Sequence, residues 1–163
     1  NLIMIWYDTF KNNQLTSIVI PSSVVTIESC AFCNNNLTSV TLSEWLVNIY
    51  SYAFQHNQIE SIVIPNTTTL IGYGSFSSNQ LTSAIIGSSV TTIETFAFSS
   101  NYLTSITLPS SITNLGWWAF VNQDFWLWNG TVYWPASGYI KNEYLASPNY
   151  KFDKNKLPNY IDL

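Results

Sequence analysis

One unit of 22 residues recurs through most of the chain without insertion or deletion. The unit is clearest in residues 15–36, LTSIVIPSSVVTIESCAFCNNN, and its first position returns as Leu15, Leu37, Ile59, Leu81 and Leu103. Residues 1–14 align with the last fourteen positions, so the sequence enters within a repeat. A period of this length predicts a solenoid, in which each copy buries its apolar face only against neighbouring copies.

Two short segments of each unit have the composition of β-strands. In the first, Ile18 lies between Ser17 and Val19, and apolar and outward-facing positions alternate with the period of two that a half-buried strand requires. The second holds an apolar pair, Val24 and Ile27 in this copy, and is too short and too rich in β-branched residues for a regular α-helix. The pattern predicts a β-rich solenoid of short parallel strands and 3-10 turns, with little regular α-helix.

A phenylalanine and an amide residue close each unit. The phenylalanines follow a small residue, and we predict that they stack as a spine with neighbours about 4.8 Å apart, the spacing between strands. A buried amide satisfies backbone groups at a bend, and it is expected to bond the same residue one coil away. The two sets are Phe10, Phe32, Phe54, Phe76, Phe98 and Phe120, and Asn35, Asn57, Asn79, Asn101 and Gln123.

The combined pattern, LTSIxIPxSVxxIxxxAFxxN, resembles the BspA-like bacterial leucine-rich repeats, whose short repeats have about 22 to 23 residues. The resemblance covers residues 1 to about 124, and Trp45 and Trp118 stand where small polar residues are expected. It implies a leucine-rich repeat solenoid at the cell surface or outside the cell. It also implies adhesion to proteins of a host or of neighbouring cells.

The repeat pattern breaks after Gln123. The runs FWLW and TVYW flank Asn129 and Gly130, a dipeptide that favours the type I′ turn of a β-hairpin. We therefore predict a solenoid over residues 1–124, with one partial and five full repeats, and a hairpin with an irregular cap over residues 125–163.

The charge distribution excludes one class of partner. Charged residues make up 9% of the chain, arginine is absent, and between Asn12 and Gln123 the only charged side chains are four glutamates. Nucleic-acid binding requires a cationic surface, so it is not expected. No apolar run approaches the roughly 20 residues of a membrane-spanning helix, so no spanning segment is predicted either.

Catalytic and metal-binding patterns are weak. Cys30 and Cys33 form a C-x-x-C, but a structural zinc site needs four ligands and the chain offers no third cysteine and only one histidine, His56. We interpret the cysteines as small apolar substitutions, with a local disulfide as the alternative. Glu28 and Glu94 are three coils apart, on the order of 14 Å, too far for paired carboxylates. We predict no enzyme activity, no cofactor and no metal site.

Two sets of residues are candidates for binding proteins, although each also has a purely structural explanation. Hydroxyl side chains form a flat strip along the first strand, which is either a binding surface or the solvated face of a rod. Tryptophans concentrate towards the C-terminus, as either a binding patch or the packing of a cap. The candidates are Ser17, Ser39, Ser61, Ser83, Ser105, Thr16, Thr38, Thr82 and Thr104, and Trp117, Trp118, Trp126, Trp128 and Trp134.

Self-association is the second functional hypothesis. A solenoid that begins within a repeat exposes an unpaired strand edge and an open apolar section, which either preceding residues or another copy of the chain would cover. Contact between copies would be head-to-tail, and such contacts grow into filaments when they do not close. The near-absence of charge leaves little repulsion to oppose this packing.

Overall fold

The structure, a computed structural model, describes residues 2–103, 106–121 and 123. Ten short strands, and no helix, are assigned in this part of the chain. The strands are β1 (Met4–Ile5), β2 (Ser17–Val19), β3 (Thr26–Ile27), β4 (Ser39–Thr41), β5 (Asn48–Ile49), β6 (Ser61–Val63), β7 (Leu70–Ile71), β8 (Ser83–Ile85), β9 (Thr92–Ile93) and β10 (Asn114–Leu115).

Every strand pair is parallel and joins residues one repeat apart. One side of the coil carries a six-stranded sheet in the order β1-β3-β5-β7-β9-β10, in which Ile27 lies opposite Ile49. Another side carries two pairs, β2-β4 and β6-β8, in which Ser17 lies opposite Ser39. Paired residues are 22 positions apart, which is the length of one repeat, so each coil lies directly above the one before it. The predicted solenoid of short parallel strands is confirmed.

The phenylalanines form a column along the centre of the coils. Neighbouring rings are stacked, with centroids 5.2 to 5.4 Å apart and planes within 11° of each other. The spacing exceeds the strand spacing of about 4.8 Å because parallel rings stack with a lateral offset. Phe32, Phe54, Phe76 and Phe98 are fully buried, and each contributes about 1.5 to 3 kcal/mol by burial. We call these six residues the inner column.

Buried amides tie adjacent coils together at the bend that follows the inner column. The Oδ1 atom of Asn57 accepts the N–H of Leu37 at 3.0 Å, while its Nδ2 atom donates to the carbonyls of Phe32, Phe54 and Gln55 at 3.0, 3.1 and 3.3 Å. These bonds reach backbone groups of two coils. The sequence suggested a bond between amides of adjacent coils. Bonds to backbone groups take its place, because these groups already use both amide hydrogens and the oxygen.

Each coil turns through two residues in the left-handed region of backbone conformation, with φ between 53° and 60°. The N–H of such a residue donates to the next coil, as from Tyr52 to the carbonyl of Tyr73 at 2.8 Å. These turns contain the i to i+3 hydrogen bond of a single 3-10 turn, as from the N–H of Cys33 to the carbonyl of Cys30 at 3.2 Å. The first of the two positions holds Asp8, Cys30, Tyr52, Gly74, Phe96 and Trp118, and the second holds Asn12, Asn34, His56, Ser78 and Ser100.

The first described coil leaves apolar side chains uncovered. Leu2 is 53% exposed, whereas Val24 and Leu46, at the same repeat position, are fully buried. Phe10 is likewise 38% exposed at the end of the inner column. The strand edge of β1 that faces away from β3 has no partner among the described residues. The part of the chain that the structure covers also contains no helix that is both long and apolar enough to cross a membrane.

Candidate functional site

The hydroxyl strip lies where the sequence predicted it. The serines are exposed and aligned between coils, with Ser17 opposite Ser39 and Ser61 opposite Ser83. Thr16, Thr38 and Thr82 are exposed as well. The predicted members Thr104 and Ser105 lie outside the described residues.

The threonines of the strip also hold the coils together. The hydroxyl of Thr38 donates to the carbonyl of Thr16 at 3.2 Å, and that of Thr82 donates to the carbonyl of Glu60 at 3.3 Å. Each hydroxyl oxygen retains lone pairs for a further bond. The strip is therefore ordered by the fold and remains accessible.

A row of apolar side chains runs beside the serines and was not selected from the sequence as a binding feature. Val19, Val63 and Ile85 are 69%, 58% and 63% exposed, and Val63 lies opposite Ile85. Single exposed apolar residues are ordinary on a protein surface, but Val63 and Ile85 are neighbours on adjacent coils and form one patch. Val19 is separated from them by Thr41, which lies opposite Val19 in the intervening coil. The alternation of Val19 with the buried Ile20 was the signal that could have revealed this row.

A second row of side chains lies along the turns. We call the first left-handed position of each coil, from Asp8 to Trp118, the turn column. Tyr73 provides the ring that Gly74 lacks, because its centroid lies 5.2 Å from that of Tyr52 and 5.7 Å from that of Phe96. A Cβ atom on Gly74 would lie 2.9 Å from the Tyr52 ring. Burial, followed by the proximity of Tyr73, raises the pKa of Tyr52.

Two of the five predicted tryptophans lie at the end of this column. The ring of Trp118 is 5.3 Å from that of Phe96 and 6.1 Å from that of Trp117, and Trp118 is 43% exposed. Trp117 also lines a cleft of about 500 Å³ beside Tyr73, Glu94 and Asn114, in which Oε2 of Glu94 accepts the N–H of Tyr73 at 2.6 Å. The remaining candidates, Trp126, Trp128 and Trp134, fall outside the described part of the chain, as does the predicted hairpin.

The two cysteines lie near the other end of the turn column and meet a carboxylate from the coil before. Both thiols are free, Cys30 is half-buried and Cys33 is buried. Their Sγ atoms and a carboxylate oxygen of Asp8 all lie within 4.8 Å of one another. Nζ of Lys11 is 3.2 Å from each oxygen of Asp8, and its hydrogen bond is to Oδ2.

This group of side chains perturbs two pKa values. Burial raises the pKa of the Cys33 thiol from 9.0 to about 12, with a further contribution from Cys30. The hydrogen bond to Asp8 raises the pKa of Lys11. His56, the other metal-ligand candidate considered from the sequence, is exposed and lies outside this cluster.

Comparison with known proteins gives the family. The family model for the BspA type leucine-rich repeat region matches residues 4–125 in six copies. The chain belongs to the BspA-type leucine-rich repeat family. The resemblance drawn from the repeat pattern is therefore confirmed, and repeats of this type form solenoids that typically serve as scaffolds for protein interaction.

A solved structure supports the assignment. The BspA-type solenoid is similar to the crystal structure of the pneumococcal vaccine antigen PcpA, with 26% sequence identity and a TM-score of 0.66. The match covers 73% of this chain and 33% of that one, so this chain matches about a third of the length of PcpA. A comparison with curated proteins gave no significant match.

Proposed function

We propose that this chain is the repeat region of an extracellular or cell-surface protein that binds other proteins and is not an enzyme. The family and the likeness to a vaccine antigen support a surface location. The exposed strip supports binding, because its ordered side chains are hydroxyls and aliphatic groups, with Glu60 as its charged member. Adhesion to a host or neighbouring cell is the form of binding that we propose.

The observation that carries this proposal is the exposed apolar pair of Val63 and Ile85 on adjacent coils, with Val19 two coils before Val63 in the same strand position. Removing apolar surface from water contributes about 25 cal/mol per Å² of stabilisation. Each of these side chains that a partner covers therefore makes the free energy of binding more favourable. The adjacent serines offer hydrogen bonds at the rim of the same patch. Interfaces between proteins combine an apolar centre depleted of charge with a polar rim in this way.

A cell-binding assay tests the proposal. The labelled chain is expected to bind intact host cells saturably, and protease treatment of the cells is expected to abolish binding. The double variant Val63→Lys and Ile85→Lys places two charges at the centre of the strip, and we expect its affinity to fall at least about tenfold.

The matched control is Ser89→Lys, which introduces a charge at an exposed corner outside the strip. Its binding should equal that of the unmodified chain. Binding that does not saturate, or equal binding by the strip variant and the control, would contradict the proposal. If only Trp118→Ala lost binding, the contact surface would lie on the turn column and not on the strip.

Head-to-tail association is a second candidate function, and the scarcity of charged side chains in the repeats favours it, because little repulsion opposes close packing of two copies. Leu2 and Phe10 occupy positions that every following coil buries, and Trp6 and Tyr7 beside them are 68% and 64% exposed. A coil of a second copy would cover these groups and pair with the free edge of β1. Covering these apolar groups would stabilise the contact, and because association joins two copies its extent should increase with concentration.

Size-exclusion chromatography combined with electron microscopy tests this candidate. Filaments or a concentration-dependent series of oligomers are expected, and Leu2→Lys should reduce them. A monodisperse monomer at every concentration would rule out filament formation by this chain and leave the proposed binding function unaffected.

A further inference from the structure

We propose that Asp8, Cys30 and Cys33 bind a soft divalent cation of the zinc class. The sequence places Cys30 and Cys33 three residues apart, and no third cysteine or histidine lies within the same repeat. The solenoid supplies a third ligand, since Asp8 occupies in the preceding coil the same turn position that Cys30 occupies in its own. Two thiols and a carboxylate from two coils thereby face one another.

The turn geometry accounts for this convergence. The N–H of Cys33 donates to the carbonyl of Cys30 at 3.2 Å, and Cys30 has a φ of 55°, so the two cysteines stand at the ends of one tight turn. The N–H of Asp8 donates to the carbonyl of Ser29 at 3.2 Å, which fixes the register of the neighbouring coil.

The distances suit a zinc ion after a small contraction. Zinc binds sulfur at about 2.3 Å and oxygen at about 2.0 to 2.2 Å, so ligand atoms around a tetrahedral ion stand about 3.5 to 3.8 Å apart. The three ligand atoms of this site already lie within 4.8 Å of one another. Closure requires side-chain shifts of about 1 Å, which Asp8 and Cys30, both only partly buried, are free to make.

The carboxylate carries an unused acceptor. Oδ1 of Asp8 is shielded from solvent and receives no hydrogen bond, although Nζ of Lys11 lies 3.2 Å away. A buried oxygen without a bond costs free energy, and a cation in the space between the sulfurs would satisfy it.

The charges also balance. A divalent cation enters as each thiol releases one proton to solvent, so two thiolates and a carboxylate contribute three negative charges. The cation leaves a net charge of minus one, which the ammonium group of Lys11 neutralises. Three protein ligands leave one position of a tetrahedral ion for water. Thiolate ligands favour zinc-class cations over magnesium or calcium, which prefer oxygen.

The test uses the full chain, reduced and freed of metal. Titration with Co²⁺ should produce the charge-transfer absorption of a thiolate-bound ion, and Zn²⁺ should displace it. We expect Cys30→Ser, at the more accessible cysteine, to lower Zn²⁺ affinity at least about 100-fold, and Asp8→Asn to lower it about 10- to 100-fold. Circular dichroism verifies that each variant retains the solenoid.

Glu60→Gln is the control, because it removes a carboxylate from another face and should leave the affinity unchanged. Three results would overturn the site: no charge-transfer band in the reduced chain, equal affinity after Cys30→Ser, or oxidation to a Cys30–Cys33 disulfide at the same rate with and without Zn²⁺. Unchanged affinity in Asp8→Asn would overturn the assignment of the third ligand.

Discussion

The inner column and the turn column follow the same coils but obey opposite rules. The inner column holds phenylalanine in every coil, whereas the turn column holds a different residue in each coil. Backbone conformation does not explain the contrast, since the turn residues keep φ between 53° and 60° whatever their side chain. The solenoid therefore fixes the side chain where it is packed on two sides and leaves it free to vary in the turn column, where most side chains are only partly buried. The turn-column residues are Asp8, Cys30, Tyr52, Gly74, Phe96 and Trp118.

The physical basis lies in which group joins the coils. In the inner column the side chains make the contact, with rings about 5 Å apart on both sides of each residue. In the turn column a backbone N–H makes the contact, and any residue other than proline supplies it. Variation in the turn column can thus create local sites, such as a cysteine and carboxylate cluster or an aromatic group, without loss of the fold.

Truncating neighbouring members of the two columns gives the largest expected difference. Phe54→Ala removes a ring from two coil interfaces and should lower the free energy of unfolding by about 3 to 5 kcal/mol. Tyr52→Ala should lower it by only about 1 kcal/mol, the contribution of its aromatic pair with Tyr73. Urea unfolding followed by circular dichroism measures both values, and equal losses would refute the contrast.

A substitution of the buried amide at the bend tests whether side-chain packing is the only interaction that stabilises the interior of the coils. Asn57→Ala leaves the buried N–H of Leu37 without its acceptor and removes one of two donors from each of three carbonyls, and we expect a loss of about 1 to 3 kcal/mol. Gln58→Ala, at the exposed next residue, should change stability by less than about 0.5 kcal/mol. A loss below 1 kcal/mol for Asn57→Ala would mean that water replaces the amide.

Gly74 is the place where the tolerance of the turn column should fail. Gly74→Ala places a Cβ atom 2.9 Å from the Tyr52 ring at a φ of 56°, and a loss of about 1 to 2 kcal/mol is expected. Part of the loss should disappear in the Tyr52→Ala background, since the clashing ring is then absent. A double-mutant cycle measures this coupling, and strict additivity would show that backbone strain alone is responsible.

The second turn position should respond in the opposite direction. His56 is exposed at a φ of 53°, where a side chain strains the backbone, so His56→Gly should raise stability by about 0.5 to 1 kcal/mol. Thermal unfolding provides the comparison with the unmodified chain. A decrease would indicate that His56 makes stabilising contacts of its own.

The smallest expected effect is a dependence on alkaline pH. The pKa of Tyr52 is raised above its ordinary value of 10.0, so the unfolded chain releases this phenolic proton before the folded chain does. The stabilisation is complete below about pH 10 and declines as the pH rises above it. Tyr52→Phe should reduce that decline in a pH series of urea unfolding experiments. If Tyr52→Phe and the unmodified chain gave the same pH profile, a group other than Tyr52 would be responsible for the decline.

Much of the architecture could be predicted from the chain because its period is strict. The position of Ser17, the burial of Phe54 and the register of each coil all follow from one spacing of 22 residues, and the structure agrees. The exposure of Val63 and Ile85 follows from the same alternation, but exposed aliphatic residues are ordinary on a surface, so the alternation alone does not identify a binding patch. The predicted cap over residues 125–163 stays a prediction.

The sequence by itself determined the solenoid, the inner column and the hydroxyl strip, because a repeated spacing sets which residues lie above one another. The same spacing places Asp8 one coil before Cys30. Only the tertiary structure decided that a carboxylate oxygen of Asp8 lies within 4.8 Å of both thiols and that Tyr73 takes the place of the ring missing at Gly74. Those contacts depend on the direction and reach of side chains across the gap between coils. The spacing of residues along the chain does not determine how far each side chain reaches, so packing decides which side chains of adjacent coils make contact.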